Sequence, residues 1–325
     1  MRKFERLLVT GGAGFIGSAF LRAVAEDYRF AEIKQIYILD SLTYAGKLES
    51  IAAIQADNRF VFIHGDINDV NEHLKKFVIP DGIIHFAAES HVDRSITDGA
   101  PFISTNIVGT YKILEWAREN GVEIFLHVST DEVYGSIPNG SAREDSILKP
   151  SSQYSASKAS SDLIVLANSC TFQQPIIVTR CTNNYGPFQD LEKFIPTIIS
   201  KAKNNEKIPI YGSGLNVRDW LFVDDHVSAL MTILIQGEAG QIFNISGSNE
   251  LSNLDVASGI LQEMGKSLSL LEFVEDRKGH DLRYSLDSTK LQRQYGWEPQ
   301  VDFKEGIRRT IDWYSSKYDE RKERI

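Results

Sequence analysis

Residues 7–17 read Leu-Leu-Val-Thr-Gly-Gly-Ala-Gly-Phe-Ile-Gly, and this stretch decides the fold. Its apolar start predicts a strand, and the segment from Ser18 to about Asp27 predicts a helix directly after it. Three glycines allow a tight turn, close approach of the backbone to a pyrophosphate, and close packing of the helix on the strand. Free N–H groups at the helix N-terminus attract phosphate. The stretch therefore predicts a dinucleotide-binding unit, with Gly11, Gly14, Phe15, Ile16 and Gly17 as cofactor-binding residues.

The carboxylate of Asp40 indicates which dinucleotide is bound. Asp40 follows the apolar run 35–39 and lies about 20 residues after Gly17. In dinucleotide-binding units an acidic residue at this place binds a ribose hydroxyl. A carboxylate at this position accepts hydrogen bonds from the ribose of NAD and repels the 2′-phosphate of NADP. We therefore predict NAD as the cofactor.

Short apolar runs alternate with longer amphipathic segments as far as about residue 180. The runs are nearly continuous in apolar residues, as strands buried on both faces should be: 7–9, 36–39, 60–63, 83–88, 124–128 and 176–178. Helices are predicted between several of them, notably over 103–120 and 153–169. This rhythm predicts an α/β fold built on a doubly wound parallel Rossmann sheet. Ligands bind beyond the carboxyl ends of such strands, and the further predicted cofactor-binding residues are Thr43, Asp66, Ile67, Ala87 and Ala88.

The pattern loosens after about residue 180, where turn-rich segments and widely spaced basic residues predict a smaller α/β domain for the substrate. We predict that 1–178 and 218–246 form the NAD-binding Rossmann domain. The predicted sugar-nucleotide-binding domain comprises 179–217 and 247–325. The charged run from Lys317 is predicted to be frayed or solvated.

Two short motifs carry the chemistry. Thr130, Asp131 and Glu132 follow the run 124–128, and Tyr154 and Lys158 lie in a predicted helix. The i, i+4 spacing puts the phenol and the ammonium on one helix face, where the ammonium should lower the pKa of the phenol and make it a usable base. Neighbouring carboxylates can divide acid and base roles between them. An alcohol dehydrogenation needs only the Tyr/Lys pair, so the acid pair indicates an elimination as well.

The composition excludes several classes of protein. The chain has 325 residues, of which 42% are hydrophobic, enough for one large or two modest domains. A net charge of −9 argues against broad binding to nucleic acid or to an anionic membrane. No apolar run approaches the ~20 residues of a membrane span. The two cysteines indicate neither a disulfide framework nor a zinc site, no metal spacing is present, and the start is unlike a signal peptide, so a cytoplasmic location is predicted.

Together these motifs resemble those of the extended short-chain dehydrogenase/reductase family, specifically its nucleotide-sugar 4,6-dehydratases. Similar segments span nearly the whole chain: 11–18, 42–46, 87–95, 129–135, 154–158, 183–187, 192–193, 218–220 and 296–299. The Thr-Asp-Glu triplet is the discriminating one, because epimerases and decarboxylases of this superfamily generally lack the acid pair.

The resemblance implies a reaction cycle with no net redox change and with NAD retained through turnover. Tyr154 takes the proton of the sugar 4-hydroxyl, Thr130 positions that oxygen, and hydride passes from C4 to NAD. Glu132 then removes the C5 proton, Asp131 protonates the departing 6-hydroxyl, hydride returns to C6, and C5 is reprotonated. Tyr154 and Lys158 are also implied to bind the cofactor, Lys158 through the nicotinamide ribose. The implied product is a 4-keto-6-deoxy sugar nucleotide.

The implied substrate is a nucleotide-diphosphate hexose, either a dTDP-hexose or a UDP-hexose. The guanidinium groups of Arg218 and Arg277 suit its diphosphate, because guanidinium binds phosphate oxygens bidentately. The other implied substrate-binding residues are Ser90, Asn184, Lys193 and His280.

Departures from the family pattern leave the sugar and the base open. Lys278 stands where dTDP-glucose enzymes usually have proline, and Leu282 stands where they have arginine. dTDP-glucose is the expected substrate, UDP-N-acetylglucosamine is the alternative substrate, and a 5,6-unsaturated sugar is the alternative product. A UDP-sugar 4-epimerase and a non-catalytic NAD-binding protein are further alternatives. The resemblance also implies a homodimer through the helices near 103–120 and 153–169.

Overall fold

The computed structural model describes the backbone of residues 1–322 and the side chains of residues 1–317. The charged run that was predicted to be frayed or solvated begins at Lys317, so almost all of it lies outside the described side chains.

A central sheet of seven parallel strands forms the core of the molecule, in the order β3-β2-β1-β4-β5-β6-β10. The strands are β1 Arg6–Thr10, β2 Gln35–Asp40, β3 Phe60–His64, β4 Gly82–His85, β5 Ile124–Thr130, β6 Ile176–Cys181 and β10 Ile242–Ile245. The strand order reverses between β1 and β4, which opens a crevice at the carboxyl ends of these two strands. The predicted α/β class and the parallel Rossmann sheet are confirmed.

Helices cover both faces of this sheet, which explains why its strands are apolar on both sides. Leu7 and Val9 pack in one buried cluster with α1 (Phe15–Glu26) and α8 (Val223–Gln236). Leu8, between them, packs in a second cluster with α5 (Thr110–Glu119) and α6 (Gln153–Phe172). The alternation along β1 follows from the two-residue period of a strand.

A smaller lobe lies beyond the carboxyl ends of the strands. It contains a three-stranded sheet of β7 (Asn183–Tyr185), β9 (Val217–Phe222) and β11 (Glu250–Ser252), and a strand pair of β8 (Ile208–Tyr211) with β12 (Leu271–Val274). A third buried cluster joins these strands to α7 Phe194–Lys203, α9 Asn253–Glu263 and α11 Phe303–Lys322. Strand β9 therefore belongs to the small sheet, whereas α8 and β10 after it pack with the central sheet. The predicted domain limits stay a prediction.

Two predicted elements differ in their limits from the observed ones. The strand predicted over 83–88 ends at His85, because the chain then turns past Gly11, where an added Cβ would lie 2.6 Å from the nitrogen of Ala87. The helix predicted over 103–120 is a π-helical segment, Ile103–Gly109, followed by α5. The remaining α-helices among the described residues are α2 Val70–Leu74, α3 Val92–Thr97, α4 Ala100–Phe102 and α10 Thr289–Tyr295. Within residues 1–322, no helix has both the length and the apolar character that crossing a membrane requires.

Candidate active site

Two adjoining cavities of ≈ 310 and ≈ 340 Å³ lie at the carboxyl edge of the central sheet. The first follows the ends of β1, β2, β4 and β5, and the second extends between the sheet and the smaller lobe. They share the wall residues Ser90, Glu132, Asn183, Asn184, Gln189 and Lys193. The two cavities together form one cleft, which has a volume ordinary for small-molecule sites.

The first cavity fits a dinucleotide. Helix α1 begins after Gly14 with neither a side-chain cap nor an acidic residue in its first turn, so its leading N–H groups are available to an anion. A Cβ on Gly17 would overlap the carbonyl oxygen of Gly11, which explains why the turn needs glycine there. The predicted cofactor-binding residues that line this cavity are Gly11, Gly14, Phe15, Ile16, Gly17, Asp40, Thr43, Asp66, Ile67, Ala87 and Ala88.

The carboxylate of Asp40 is held in place at the end of β2. It accepts hydrogen bonds from the backbone N–H groups of Ala13 (2.9 Å) and Leu42 (2.8 Å). Burial raises the pKa of Asp40, and these two donors partly offset that effect. A fixed carboxylate at the cavity wall suits the hydroxyls of a ribose, as the sequence predicts for NAD.

Strand β5 leads directly into the short 3₁₀ helix Asp131–Tyr134, which we call the acidic turn. The hydroxyl of Thr130 donates to Asp131 Oδ1 at 3.1 Å and accepts from the backbone N–H of Glu132 at 3.3 Å. Gly135 ends the turn at φ 71°, where an added Cβ would overlap the carbonyl of Lys149. This local geometry brings one hydroxyl and two carboxyl groups to the cavity wall.

The two carboxyl groups have different surroundings. Burial, and then the charge of Glu132, raises the pKa of Asp131 well above its ordinary value, and Asp131 Oδ2 has no hydrogen-bond partner. Burial also raises the pKa of Glu132, but Arg218, Arg277 and Lys193 oppose that effect. Asp131 is therefore the better proton donor and Glu132 the better acceptor, which is the division that paired catalytic carboxyls require.

Tyr154 and Lys158 reach the same cavity from the first turns of α6, whose N-terminus is fixed by a capping box between Ser152 and Ser155. The ammonium of Lys158 donates to the backbone carbonyl of Val128 at 2.9 Å. Burial, and then the charge of Glu132, raises the pKa of Tyr154 well above its ordinary value. The pKa shift of this phenol is therefore opposite to the predicted direction, because burial and the neighbouring charges of Glu132 and Asp131 raise it.

The second cavity carries most of the cationic side chains. Arg277 Nε is buried without a hydrogen-bond partner, and the guanidinium lies 3.6 Å from Asp93. The Lys193 ammonium donates to the carbonyl of Ser90 at 2.6 Å, and burial lowers its pKa. All six predicted substrate-binding residues line this cavity: Ser90, Asn184, Lys193, Arg218, Arg277 and His280.

Sequence reasoning missed several residues that line the cleft. Thr105 reaches the first cavity from the π-helical segment, and no motif marks it in the sequence. The guanidinium of Arg218 stacks on Tyr284 at 4.2 Å, and Tyr284 lies seven residues after Arg277 in the sequence, close enough to have been found with it. Further examples are Asn183, Gln189, Tyr211, Trp220 and Asn253. Among the described residues, no group of three or more His, Cys, Asp or Glu side chains is arranged to hold a metal ion.

A doubly wound sheet, a dinucleotide cleft and a Thr/Tyr/Lys set define the class of short-chain dehydrogenase/reductase enzymes. The family model described as GDP-mannose 4,6 dehydratase matches residues 8–310. The chain therefore belongs to this family, and the predicted resemblance is confirmed. A protein from Streptomyces griseus named dTDP-glucose 4,6-dehydratase is 46% identical over 308 residues, which is 95% of this chain and 93% of that protein.

Solved structures agree with this placement. The dTDP-glucose 4,6-dehydratase DesIV from Streptomyces venezuelae, solved with NAD bound, has a TM-score of 0.94 at 47% identity, over 97% of this chain and 98% of that chain. A UDP-glucuronic acid 4-epimerase from Bacillus cereus, in complex with UDP-glucuronic acid and NAD, has a TM-score of 0.88 at 27% identity, over 96% of this chain and 100% of that chain.

Proposed function

We propose that this chain is an NAD-dependent enzyme that dehydrates dTDP-glucose to its 4-keto-6-deoxy form. The observation that carries the proposal is the convergence of Asp131 and Glu132 with Tyr154 and Lys158 on one wall of the cleft. Relatives named dTDP-glucose 4,6-dehydratase support the substrate, and relatives solved with NAD support the cofactor.

Tyr154 serves the oxidation half of the reaction. Its phenol takes the proton of the sugar 4-hydroxyl, and the hydroxyl of Thr130 positions that oxygen. When bound, NAD would supply the hydride chemistry, taking a hydride from C4 and returning it to C6, and reprotonation of C5 would balance that return. Lys158 holds a positive charge on the same helix face as the phenol, which favours the phenolate when the proton leaves.

The acidic turn serves the elimination half. A ketone at C4 acidifies the C5 proton, and the carboxylate of Glu132 removes it. Asp131, whose pKa burial raises well above its ordinary value, is the carboxyl favoured to hold a proton, and it donates that proton to the departing 6-hydroxyl. A general acid must hold a proton before it can donate it, and the burial of Asp131 favours its protonated form.

The cations of the second cavity hold the diphosphate. Arg218 and Arg277 present guanidinium groups, and Lys193 presents an ammonium beside the wall that both cavities share. Asn184 and His280 complete the proposed set of ligands. Guanidinium groups bind phosphate oxygens in pairs, so this cavity favours a nucleoside diphosphate over a neutral sugar.

The departures from the family pattern do not line the cleft. Leu282 has 56% of its surface exposed, and neither it nor Lys278 belongs to the wall of either cavity. Since Lys278 and Leu282 lie outside both cavities, they leave the wall of the binding site unchanged. Their location therefore favours dTDP-glucose over UDP-N-acetylglucosamine as the substrate.

We also propose a homodimer and a cytoplasmic location. The two helical segments predicted to form the dimer carry exposed apolar side chains: Ile103, Val108, Tyr111, Leu163 and Phe172. A second copy of the chain would cover them. The location rests on the scarcity of cysteine in the sequence.

A comparison of substrates tests the proposed function. The purified protein is incubated separately with dTDP-glucose, UDP-glucose and UDP-N-acetylglucosamine, and the products are analysed by mass and by NMR. We expect loss of one water from dTDP-glucose and a ketone at C4. An unchanged mass with altered stereochemistry would identify an epimerase, a 5,6-double bond would identify an enzyme that does not return hydride to C6, and no product would refute catalysis of these sugars.

A further inference from the structure

A buried ionic cluster lies directly behind the cleft, and the proposed chemistry does not use it. Arg180 is 2% exposed and Asp162 is fully buried. Arg180 lies on β6 opposite Ser129 of β5, one residue before the point where β5 reaches Thr130 at the cavity wall. The cluster is therefore adjacent to the catalytic groups but closed off from the substrate.

Arg180 contacts both of the elements that carry catalytic residues. Its Nε donates to Asp162 Oδ2 at 2.8 Å, and Asp162 lies on α6 one turn after Lys158. Its Nη1 donates to the hydroxyl of Tyr134 at 2.7 Å, and Tyr134 is the last residue of the acidic turn. One guanidinium thus joins the helix of the oxidation pair to the turn of the elimination pair.

The acidic turn depends on such outside contacts. It has only four residues, and a helix this short is not stable alone. The Tyr134 hydroxyl holds the end of the acidic turn in place, because it accepts a hydrogen bond from Arg180 and donates one to Asn244 Oδ1 at 3.0 Å. Asn244 in turn donates to the carbonyl of Ala142 at 2.9 Å. These hydrogen bonds fix the position of the Tyr134 hydroxyl, whereas apolar packing, such as that around Val133, does not fix a direction.

Stability alone is a poor reason for an ion pair at this depth. Burying two charges carries a desolvation penalty that often exceeds their attraction, and apolar side chains of similar size can be equally stabilising. What apolar side chains do not supply is a fixed distance and direction. Catalysis needs that accuracy, because a misplacement of about 1 Å can lower a rate by about 10²-fold.

We propose that Arg180 is a positioning residue that sets the place of the acidic turn relative to α6, and so aligns Glu132 and Asp131 with the carbon that Tyr154 has oxidised. The inference rests on the proposed function, because it assumes that oxidation and elimination act on one bound sugar. Asp162 and Tyr134 are the two contacts through which Arg180 acts.

The test is Tyr134→Phe, which removes only the hydroxyl. Two rates are measured with dTDP-glucose: the first-turnover formation of reduced nicotinamide, by its absorbance, and the release of dehydrated product, by mass. We expect oxidation near the parent rate, dehydration slower by roughly 10- to 100-fold, and accumulation of reduced nicotinamide on the enzyme. The matched control is Tyr37→Phe, which should change neither rate. It removes the hydroxyl of another buried tyrosine, which donates a hydrogen bond to Gln35 at 3.0 Å.

Equal falls in the two rates, a larger fall in oxidation, or no change in either rate would overturn the positioning role. The same result for Tyr37→Phe as for Tyr134→Phe would also overturn it. Arg180→Lys is a second variant, because one ammonium cannot keep both contacts, and it should show the same split between the rates. If the parent protein does not dehydrate dTDP-glucose, the proposed function fails instead, so the two failures are distinguishable.

Discussion

Replacing Asp131 by asparagine removes the proposed proton donor while keeping its shape. The side chain is 3% exposed, its Oδ2 has no protein partner, and its Oδ1 accepts from Thr130. An amide can still meet the Thr130 hydroxyl through its oxygen, but it cannot protonate a leaving hydroxyl. General acid catalysis contributes about 10²- to 10⁴-fold. We therefore expect dehydration to slow by that factor, which corresponds to about 2.7–5.4 kcal/mol in the barrier.

The oxidation half should survive this substitution, because Tyr154, Thr130 and Lys158 are unchanged. Rapid mixing with dTDP-glucose would follow reduced nicotinamide by its absorbance, and quenched samples would follow loss of water by mass. We expect reduced nicotinamide to form within a few-fold of the parent rate and to persist. Asp224→Asn, an exposed carboxyl on α8 that lines neither cavity, is the control and should dehydrate like the parent.

Two results would refute this reasoning about Asp131. Dehydration by Asp131→Asn at the parent rate would show that another group protonates the 6-hydroxyl. Loss of oxidation in equal measure would show that Asp131 acts on the whole site, through its bond with Thr130, rather than on the departing hydroxyl.

Three further predictions concern the same cleft. Glu132→Gln should also lower dehydration by about 10²- to 10⁴-fold, with reduced nicotinamide persisting in the same rapid-mixing assay; unimpaired exchange of the C5 proton with solvent would contradict its role as base. Gly17→Ala should weaken NAD binding, measured by equilibrium dialysis, and destabilise the fold by about 1–3 kcal/mol, because its Cβ meets the Gly11 carbonyl; parent-like binding would exclude the clash. The pKa of Asp131 is raised above its ordinary 3.8 in the folded protein. The contribution of Asp131 to the free energy of unfolding is therefore fully present below pH 3.8 and is lost as the pH rises through the raised pKa. Asp131→Asn should therefore raise the thermal midpoint at neutral pH and change it little at acidic pH, and the reverse order would contradict the raised pKa.

The parts of the fold that could be read from the sequence are those set by local rules. The glycine turn after β1 and the apolar strands of the sheet follow from backbone freedom and hydrophobic period, and the structure has them within a few residues. The cleft residues at strand ends could be found because parallel strands end at one edge. The limit of β4 could not be read, because the approach of Gly11 to Ala87 is a contact between distant segments.

The electrostatics of the site could not be predicted in the same way. The spacing of Tyr154 and Lys158 gives their common helix face but not the depth at which they lie. Their burial reverses the expected direction of the phenol pKa. Likewise, Arg180 is hydrogen-bonded to Asp162 and Tyr134, which lie 18 and 46 residues before it, and no local pattern in the sequence predicts these contacts.

The central claim is that one cleft oxidises C4, eliminates water and reduces C6 of the same sugar without releasing the hydride. The most direct measurement uses dTDP-glucose carrying deuterium at C4, with the purified protein and NAD, and locates the label by NMR and mass. Deuterium at C6 of a 4-keto-6-deoxy product is the predicted result. A product without the label, or label that stays at C4, would contradict the account.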